Sequence, residues 1–405
     1  MKFLHVADAH LDSPFGGLSF LPNTIHQQIQ DSTNQAFSKM VDFAIEKRVD
    51  FVLLVGDTFD TNSPAPATQL FLMQQIERLT EEKIHVYLSF GNHDYMVPEN
   101  LLIKASEFVH IFGAEVETKT LTTNDNVTVD IVGFSYIQNH IMTDLAATYP
   151  AKNSAHYTIG TLHGSEAAGA SDANNYAPFG LTALKELNYD YFALGHIHLR
   201  QILSEQPYVI YPGNLQGRHV NEPGDKGFYL VEVASDSFKT TIEFVPTSIY
   251  VWQKNSVQVA KNLTKDELLS SIVEQLRDAL AQDSTGKLIT LNIDNSENLS
   301  TEHRELLTDK SILTFINQQL PEQDYVVRLR FNLSKSLELN SLDQHYFELA
   351  KDETFSSTNI EETAKSLMKY DFLTDFLNDE ETVKLVQEQA ELLIQQEIKG
   401  KQNAD

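Results

Sequence analysis

The sequence predicts an α/β fold in which mixed β-sheets, arranged as a sandwich, are flanked by helices. Over residues 1–245, short apolar runs of strand length alternate with stretches of helical period. Later in this part, strands follow one another with little helix between them, which predicts mixed sheets rather than one parallel sheet. The chain has 405 residues, 41% of them hydrophobic and none of them cysteine. This composition excludes a wholly disordered chain, disulfides and thiolate metal sites.

Two periodicities define the elements of this first part. The predicted strands cover residues 3–6, 51–55, 85–90, 127–133, 157–162, 191–194, 208–211 and 227–233. The predicted helices cover residues 24–48, 66–81 and 99–108.

The pattern of strand-like and helical stretches changes after residue 245, and we expect three domains. Residues 246–340 alternate strand-like and helical stretches and predict a small α+β domain. Residues 341–405 are acidic and predict a helical C-terminal region, whose last segment has an apolar stripe at helical spacing. The predicted domains are therefore 1–245, 246–340 and 341–405.

The charge of the chain is strongly negative, with 57 acidic and 30 basic residues and a net charge of −27. Residues 1–245 hold 29 acidic and 14 basic side chains. This balance argues against a protein that coats nucleic acid or an anionic membrane unaided. The apolar runs are of strand length and none is signal-like, so we expect no membrane span and a cytoplasmic protein.

Five short motifs share one pattern, in which His, Asp or Asn follows a predicted strand directly. Of 14 histidines, 12 lie in residues 1–245, where these motifs are found. Ligands bind at the carboxyl ends of strands in α/β sheets, so the five strand ends can converge on one site. The motifs are Asp8-Ala9-His10, Gly56-Asp57-Thr58-Phe59-Asp60, Gly91-Asn92-His93-Asp94, Leu162-His163-Gly164 and Gly195-His196-Ile197-His198.

The residue types of these motifs point to metal. Asp-x-His and His-x-His put two potential ligands on alternate residues of a turn that leaves a strand. Carboxylate, imidazole and amide donors suit divalent ions such as Mn²⁺, Fe²⁺ or Zn²⁺. More than four candidate ligands imply two ions, which together can activate a water and hold a phosphoryl group.

The order of the five motifs resembles the calcineurin-like metallophosphoesterases. Within that superfamily, residues 1–235 are similar to the SbcD-type DNA-repair exonucleases. The segment 3–15 and the later Tyr211-Pro212-Gly213-Asn214-Leu215-Gln216-Gly217-Arg218-His219 are similar to their YhaO-like branch. The resemblance implies a metallophosphoesterase catalytic domain over 1–245, followed by a cap domain.

The resemblance also implies roles for individual residues. Asp57 bridges the two metals, and His93 lies beside the phosphate, where it stabilises the transition state or protonates the leaving oxygen. Asp94, next in the chain, either orients His93, as carboxylates do for imidazoles, or lies in a surface turn. The implied ligands of the first metal are Asp8, His10 and His198, and those of the second are Asn92, His163 and His196. The expected metal is manganese, with Fe²⁺, Zn²⁺ or Mg²⁺ as alternatives.

Several further residues are candidates for weaker roles. Arg218 and His219 follow a Pro-Gly-Asn turn and either contact a substrate phosphate or lie in a solvated loop. Asp12 and Asp60 either support ligands or cap their own turns. A structural role is expected for His5 within the first strand, and a surface or core role for His26, His85, His110, His140 and His156.

Three hypotheses on function remain open from the sequence. The leading one is a two-metal phosphodiesterase that cuts DNA, as the nuclease subunit of a repair-type complex. The others are a phosphomonoesterase or small-nucleotide phosphodiesterase, and a non-catalytic scaffold subunit. The resemblance implies an SMC-like coiled-coil ATPase as partner and a homodimer formed through the helices at 24–48 and 66–81. The terminal helix of residues 382–405 either docks that partner or packs on its own domain.

Overall fold

The structure is a computed structural model that describes residues 1–16, 18, 21–167, 176–280, 285–332, 341–365, 386–387 and 390. In chain order the strands within these residues are β1 (Lys2–Val6), β2 (Phe51–Val55), β3 (His85–Ser89), β4 (Val109–Ile111), β5 (Glu117–Thr122), β6 (Thr128–Gly133), β7 (Tyr157–His163), β8 (Tyr191–Gly195), β9 (Gln201–Glu205), β10 (Tyr208–Tyr211), β11 (Gly227–Val233), β12 (Thr240–Pro246), β13 (Tyr250–Gln258), β14 (Gly286–Asp294) and β15 (Asp324–Phe331). The α-helices are α1 (Asn23–Gln30), α2 (Ser32–Lys47), α3 (Pro66–Glu81), α4 (Leu181–Glu186), α5 (Lys265–Ala279), α6 (Thr301–Thr308), α7 (Lys310–Asn317), α8 (Ser341–Thr354) and α9 (Ser357–Ala364).

The chain divides into two compact units. The first comprises Met1–Gln253, Ala281–Thr290 and Pro321–Val327, and the second comprises Lys254–Leu280, Leu291–Leu320 and Arg328–Asp405. All the predicted site residues lie in the first unit. The division into three domains stays a prediction.

Two six-stranded mixed sheets form the first unit, as the sequence predicts. The first has the order β12-β11-β1-β2-β3-β4. Strands β1 to β4 run parallel to one another, β11 runs antiparallel to β1, and β12 runs antiparallel to β11. The second has the order β5-β6-β7-β8-β10-β9, with β6, β7, β8 and β10 parallel. Because β1, β2 and β3 run parallel, their carboxyl ends share one edge, and the same holds for β7 and β8.

Strand β2 shows how the two sheets are held together. Its residues are buried on both faces, which explains the continuous apolar run rather than an alternating one. Phe51 and Leu53 pack towards the second sheet, against residues of β6, β7 and β8, whereas Val52 and Leu54 pack towards helices α2 and α3. Each fully buried side chain of this kind contributes roughly 1.5–3 kcal/mol. The edge that carries the ligands therefore rests on a closely packed sandwich.

The structure differs from the predicted elements in three places. The predicted helix 24–48 is two helices, α1 and α2, separated at Asp31. The predicted helix 99–108 is wrong: a single 3₁₀ turn, Pro98–Asn100, is followed by irregular chain. Lys104 donates to two carbonyls of that turn, and Ser106 Oγ accepts from the amides that lead into β4. The prediction also lacked the short helix α4 and four strands, β4, β5, β9 and β12, all of which lie at the edges of their sheets.

The later part of the chain contains the expected mixture of strands and helices. Strands β13, β14 and β15 form a three-stranded sheet. Helix α5 begins with a capping box, in which Thr264 Oγ1 accepts from the Glu267 amide and the Glu267 carboxylate accepts from the Thr264 amide. The apolar stripe predicted for residues 382–405 lies outside the described residues except at 386–387 and 390. Over the described part of the chain, no helix is both long enough and apolar enough to cross a bilayer.

His5 links the two sheets within the core. It is fully buried on β1, with Nδ1 3.0 Å from the Tyr191 hydroxyl and Nε2 3.0 Å from the Leu194 carbonyl oxygen, both on β8. Burial lowers the pKa of His5 to about 3, and the hydrogen bond to Leu194 opposes this shift only in part. The structural role expected for this histidine agrees with these contacts.

We predict that His5→Gln makes the stability of the protein less sensitive to acid. Unfolded histidine has a pKa of about 6.5, so below that pH the unfolded chain binds a proton that folded His5 does not. This one group lowers the free energy of unfolding by about 1.4 kcal/mol per pH unit as the pH falls from about 6 towards 4. Urea unfolding at several pH values measures the slope for wild type and variant.

His26→Gln on helix α1 is the matched control, because it removes a histidine that is not buried. The His5→Gln protein is expected to be less stable at pH 7, with a stability curve that converges on the wild-type curve in acid. Parallel curves for His5→Gln and wild type would contradict the assignment.

Candidate metal centre

Five strand ends bring the predicted ligands to one place. Asp8 follows β1, Asp57 follows β2, Asn92 follows β3, His163 ends β7 and His196 follows β8. Because the carboxyl ends of parallel strands meet at one edge of each sheet, side chains from both sheets come into contact. His163 Nε2, from the second sheet, lies 3.2 Å from Asp57 Oδ2, from the first.

A first group of donor atoms is formed by Asp8, His10 and His198. The Nε2 atoms of His10 and His198 lie 3.0 Å apart, and Asp8 Oδ1 lies 3.8 Å from His198 Nε2. Asp8 and His10 are fully buried, and His198 is partly buried. These are the three residues expected to hold the first metal.

A second group is formed around Asn92. Its Oδ1 lies 3.0 Å from His163 Nε2 and 2.9 Å from His196 Nδ1. Asp57 Oδ2 lies 3.2 Å from His163 Nε2 and 3.8 Å from His10 Nε2. Asp57 thus lies between the two groups, where a bridging carboxylate is expected, and all seven predicted ligands are brought together.

Three of the imidazoles have their Nδ1 atom engaged by an acceptor oxygen that is not part of the seven predicted ligands. Such a partner places the ring proton on Nδ1 and leaves a lone pair on Nε2. The pairs are His10 Nδ1 with Asp60 Oδ1 at 3.1 Å, His198 Nδ1 with Glu222 Oε1 at 2.6 Å, and His163 Nδ1 with the Val55 carbonyl oxygen at 3.0 Å.

The resulting donor set fits a pair of divalent cations. With both protons on Nδ1, the facing Nε2 atoms of His10 and His198 cannot hydrogen-bond to each other. Buried acceptors that face acceptors at about 3 Å are costly unless a positive charge compensates them. Imidazole nitrogen with carboxylate and amide oxygen is the ligand chemistry of Mn²⁺, Fe²⁺ and Zn²⁺.

Burial and neighbouring charges shift the pKa values of several groups in the centre. Burial raises the pKa of Asp8 to about 8; the charge of His163 opposes this rise and that of Asp57 adds to it. Burial would lower the pKa of His163, but the charge of Asp57 and its hydrogen bond raise it to about 9. For His196, burial lowers the pKa to about 3, and the charge of His163 adds to the fall. Asp8 and His163 therefore bind protons more tightly than usual, whereas His196 stays neutral and keeps a nitrogen lone pair.

The backbone at the centre is unusual, and it leaves no room for side chains at two glycines. Asp8, His10 and Asp57 have φ of 52°, 43° and 48°, a region that non-glycine residues adopt in only a minority of cases. A Cβ on Gly91 would lie 2.3 Å from Asp57 Oδ1 and 2.6 Å from His163 Nε2, and one on Gly56 would lie 2.2 Å from His163 Nδ1. These close approaches require glycine at both positions.

Asp94 has a different position from the one expected. We expected it to orient the His93 imidazole, but its hydrogen bonds go to backbone amides, those of Asp57 and Thr58 at 3.2 and 2.7 Å and that of Gly91 at 2.6 Å. A fourth amide, from the residue after Thr58, also donates to it. Burial, and then the charge of Asp57, raises the pKa of Asp94 to about 6. Asp94 therefore joins the turns after β2 and β3 and positions the metal ligands they carry.

His93 lies at the open side of the centre. Its side chain is exposed, and its ring centroid is 5.0 Å from that of His10. Its amide donates to Asp57 Oδ1 at 2.9 Å, and its Nδ1 is 3.3 Å from the carbonyl oxygen of Asp60. This leaves Nε2 available to solvent or substrate beside the candidate metal ligands.

The two candidate substrate residues take different positions. Arg218 is largely buried, and its Nη1 pairs with Asp60, the carboxylate that also holds His10. His219 is about half exposed, and its Nε2 lies 3.1 Å from Glu222 Oε1. Both are adjacent to groups that position metal ligands, and Arg218 reaches the centre through Asp60.

Sequence reasoning missed Glu222, whose Oε1 lies 2.6 Å from His198 Nδ1. It lies 24 residues after that histidine, and no spacing pattern connects the two; the one local signal is an acidic residue within a turn-rich segment, Asn221-Glu222-Pro223-Gly224. Tyr176 was also missed, and its ring centroid lies 4.9 Å from that of His196.

The remaining histidines have other partners. His85 and His110 contact each other at 3.1 Å, His156 contacts Asp130 at 2.8 Å, and the ring of His140 stacks on that of Tyr176. Asp12 is exposed with φ of 70°, so of the two aspartates with open roles only Asp60 contacts a predicted ligand.

Comparison with known proteins agrees with this geometry. Residues 1–200 match the family described as "Calcineurin-like phosphoesterase". The chain is 36% identical over 408 residues to the "Uncharacterized metallophosphoesterase YhaO" of Bacillus subtilis, covering 98% of each protein.

Two archaeal proteins named "DNA double-strand break repair protein Mre11" are more distant relatives. The one from Methanococcus maripaludis is 25% identical over 377 residues, covering 85% of this chain and 96% of that protein. The one from Sulfurisphaera tokodaii is 24% identical over 297 residues, covering 68% of each.

The family match covers β1 to β8 with all five ligand motifs, and the 36% identity extends over almost the whole chain. On these grounds the chain belongs to the calcineurin-like metallophosphoesterases and is a metal-dependent phosphoesterase.

Proposed function

We propose that this protein is a two-metal phosphodiesterase that hydrolyses DNA phosphodiester bonds. The observation that supports the proposal most directly is the pair of buried acceptor groups joined by Asp57, with the exposed His93 beside them. The DNA part of the proposal is supported by the names of the archaeal relatives and by the resemblance of the motifs to DNA-repair exonucleases.

The ligand roles follow from the two groups. Asp8, His10 and His198 would hold one ion, and Asp57 would contribute to both. The other ion would be held by Asn92, His163 and His196. When bound, a pair of divalent ions, for which we propose Mn²⁺, supplies Lewis-acid activation of water and of a phosphoryl group.

His93 is the proposed acid or stabilising group. Its Nδ1 faces the Asp60 carbonyl, an acceptor, so the ring is held with Nε2 towards the open side. A protonated Nε2 would donate to a phosphate oxygen and transfer its proton to the leaving oxygen, which is general acid catalysis. Asp94 serves this chemistry indirectly, because its bonds to backbone amides place Asp57 and the turn that carries His93.

Arg218 would bind a substrate phosphate only by giving up its ion pair with Asp60. Its guanidinium is paired with Asp60, so a substrate phosphate must compete with that carboxylate for it. His219, half exposed on the same loop, is the more accessible of the two for a phosphate contact. Both contacts would position the substrate rather than read its sequence.

The proposed setting is a complex in the cytoplasm with an SMC-like coiled-coil ATPase. Residues 1–245 have 29 acidic and 14 basic side chains, which leaves little positive charge to hold a polyanion. We therefore propose that the partner supplies most of the DNA affinity. A homodimer through α1, α2 and α3, which cover the helices predicted at 24–48 and 66–81, is part of the same proposal, by resemblance alone.

An assay on defined substrates tests the proposed reaction. With Mn²⁺ present, we expect the protein to release nucleotides from linear DNA and to act much less on p-nitrophenyl phosphate or cyclic nucleotides. Both single- and double-stranded DNA are assayed, with and without a co-purifying ATPase. Robust activity on the small substrates alone would replace the nuclease proposal with the small-molecule alternative.

His93→Gln is expected to lower kcat for phosphodiester hydrolysis by roughly 10²- to 10⁴-fold, because a general acid is lost while the ligands remain. Steady-state kinetics with Mn²⁺ measures the loss, and Mn²⁺ binding should stay within about twofold of wild type. His26→Gln is the control for a histidine remote from the centre. Unchanged kcat in His93→Gln would remove the proposed catalytic role.

Mn²⁺ is expected to stabilise the metal-stripped protein against unfolding. Ligand that binds only the folded state stabilises it by about 2.7 kcal/mol at a hundredfold excess over Kd. Asp57→Asn should abolish most of this gain, since a neutral amide replaces the carboxylate that lies between the two groups. Thermal unfolding with EDTA or Mn²⁺ measures it, and Asp236→Asn, on an exposed turn, is the matched control. Equal stabilisation of Asp57→Asn and wild type would contradict the ligand assignment.

A further inference from the structure

We propose that Glu222 is a positioning residue that fixes His198 as a metal ligand and ties the metal centre to the loop that carries Arg218. The proposal rests on the metal-binding part of the proposed function and is independent of DNA as the substrate.

The carboxylate of Glu222 connects four groups. Its Oε1 accepts from His198 Nδ1 at 2.6 Å and lies 3.1 Å from His219 Nε2. Its Oε2 accepts from the Asn214 side-chain amide at 2.8 Å and from the Arg218 backbone amide at 2.7 Å. The carboxylate is buried, at 5% exposure. One oxygen thus holds a metal ligand while the other holds the loop.

The same segment holds the backbone of His198. Lys226 Nζ donates to the His198 carbonyl oxygen at 3.1 Å. Gly213, with φ of 78°, approaches that carbonyl so closely that a Cβ would lie 2.8 Å from it. Both the ring and the backbone of His198 are therefore set by the segment 213–226.

The segment 213–226 also contacts a buried tryptophan. Trp252 is 4% exposed, and its Nε1 donates to the Gly217 carbonyl oxygen at 2.9 Å. It is the only tryptophan of the chain. Its fluorescence therefore reports whether the loop that contains Gly217 is packed against it.

Residue 222 must be a carboxylate because both of its oxygens accept hydrogen bonds, one from His198 and the other from the loop. With the ring proton drawn to Nδ1, His198 keeps its Nε2 lone pair directed at His10. A glutamine at 222 has one oxygen and one amide group. It can accept from His198 or from the loop, but one side would then place donor against donor.

The test is Mn²⁺ titration of the full-length, metal-stripped protein by isothermal calorimetry, well below its unfolding temperature. Glu222→Gln is expected to raise the Kd of one Mn²⁺ site by about 10- to 100-fold, the usual effect of losing a partner of a metal-bound imidazole. The matched control is Glu243→Gln, an exposed glutamate on β12. Its Kd should stay within about twofold of wild type.

A double-mutant cycle separates positioning from general destabilisation. If Glu222 acts through His198, then Glu222→Gln should change Mn²⁺ binding by less than about twofold in a His198→Ala background. If Glu222→Gln fails to fold, Asn214→Ala, which removes one bond to Oε2, takes its place and should raise the Kd by about threefold or more. Trp252 emission matching wild type in the absence of metal shows that the loop stays seated.

The outcomes distinguish this proposal from the proposed function. Wild-type protein that binds no Mn²⁺ would overturn the metal centre itself. Wild-type binding that Glu222→Gln leaves within twofold would overturn only the positioning role. An equal loss in the wild-type and His198→Ala backgrounds, with red-shifted Trp252 emission, would reduce Glu222 to a structural role and overturn the proposal as well.

Discussion

The repulsion between buried acceptor atoms at the shared strand edge is the constraint on which the rest of the first unit depends. Asp8 and Asp57 are both buried carboxylates, and Nε2 of His163 lies 3.0 Å from Asn92 Oδ1 and 3.2 Å from Asp57 Oδ2. Left uncompensated, such a cluster would cost several kcal/mol and would relax by rotating side chains apart. The surrounding chain prevents that relaxation, so the cluster can be relieved only by positive charge.

Two kinds of support hold the acceptors in place. On the side of the first sheet, Asp94 gathers the backbone amides of the turns after β2 and β3, so the ligands there are positioned through the main chain. The second support comes from side chains, because Asp60 and Glu222 hold the imidazoles of His10 and His198 through their Nδ1 atoms. A metal site built in this way would be formed before metal binds, because each support is itself anchored in a strand end or a packed loop.

The strands and the motifs that follow them could be predicted from the sequence for one physical reason, which is that both are local. An apolar strand such as β2 followed directly by Asp57 is visible in a few residues, and parallel strands bring such ends together whatever the loops do. Contacts between distant residues were not predictable, so Glu222 was missed. The role expected for Asp94 was wrong because sequence adjacency to His93 says nothing about which amides a buried carboxylate can reach. The prediction of a helix over 99–108 was wrong for a similar reason. Lys104 and Ser106 form hydrogen bonds with backbone groups there without a helix.

The net charge of −27 has a more specific meaning once the centre is described. Several of the acidic groups are engaged inside the fold, where Asp57 and Asp94 bind backbone amides and Asp60 pairs with Arg218. The arginine nearest the ligands is therefore already neutralised, and a phosphate arriving at His93 would meet little free positive side-chain charge from Arg218. Under the proposed function, attraction for a phosphodiester at this site would come mainly from the divalent cations. A protein built this way would recognise the reacting phosphate through its metals and leave the remaining phosphates of a long substrate to another, more basic surface.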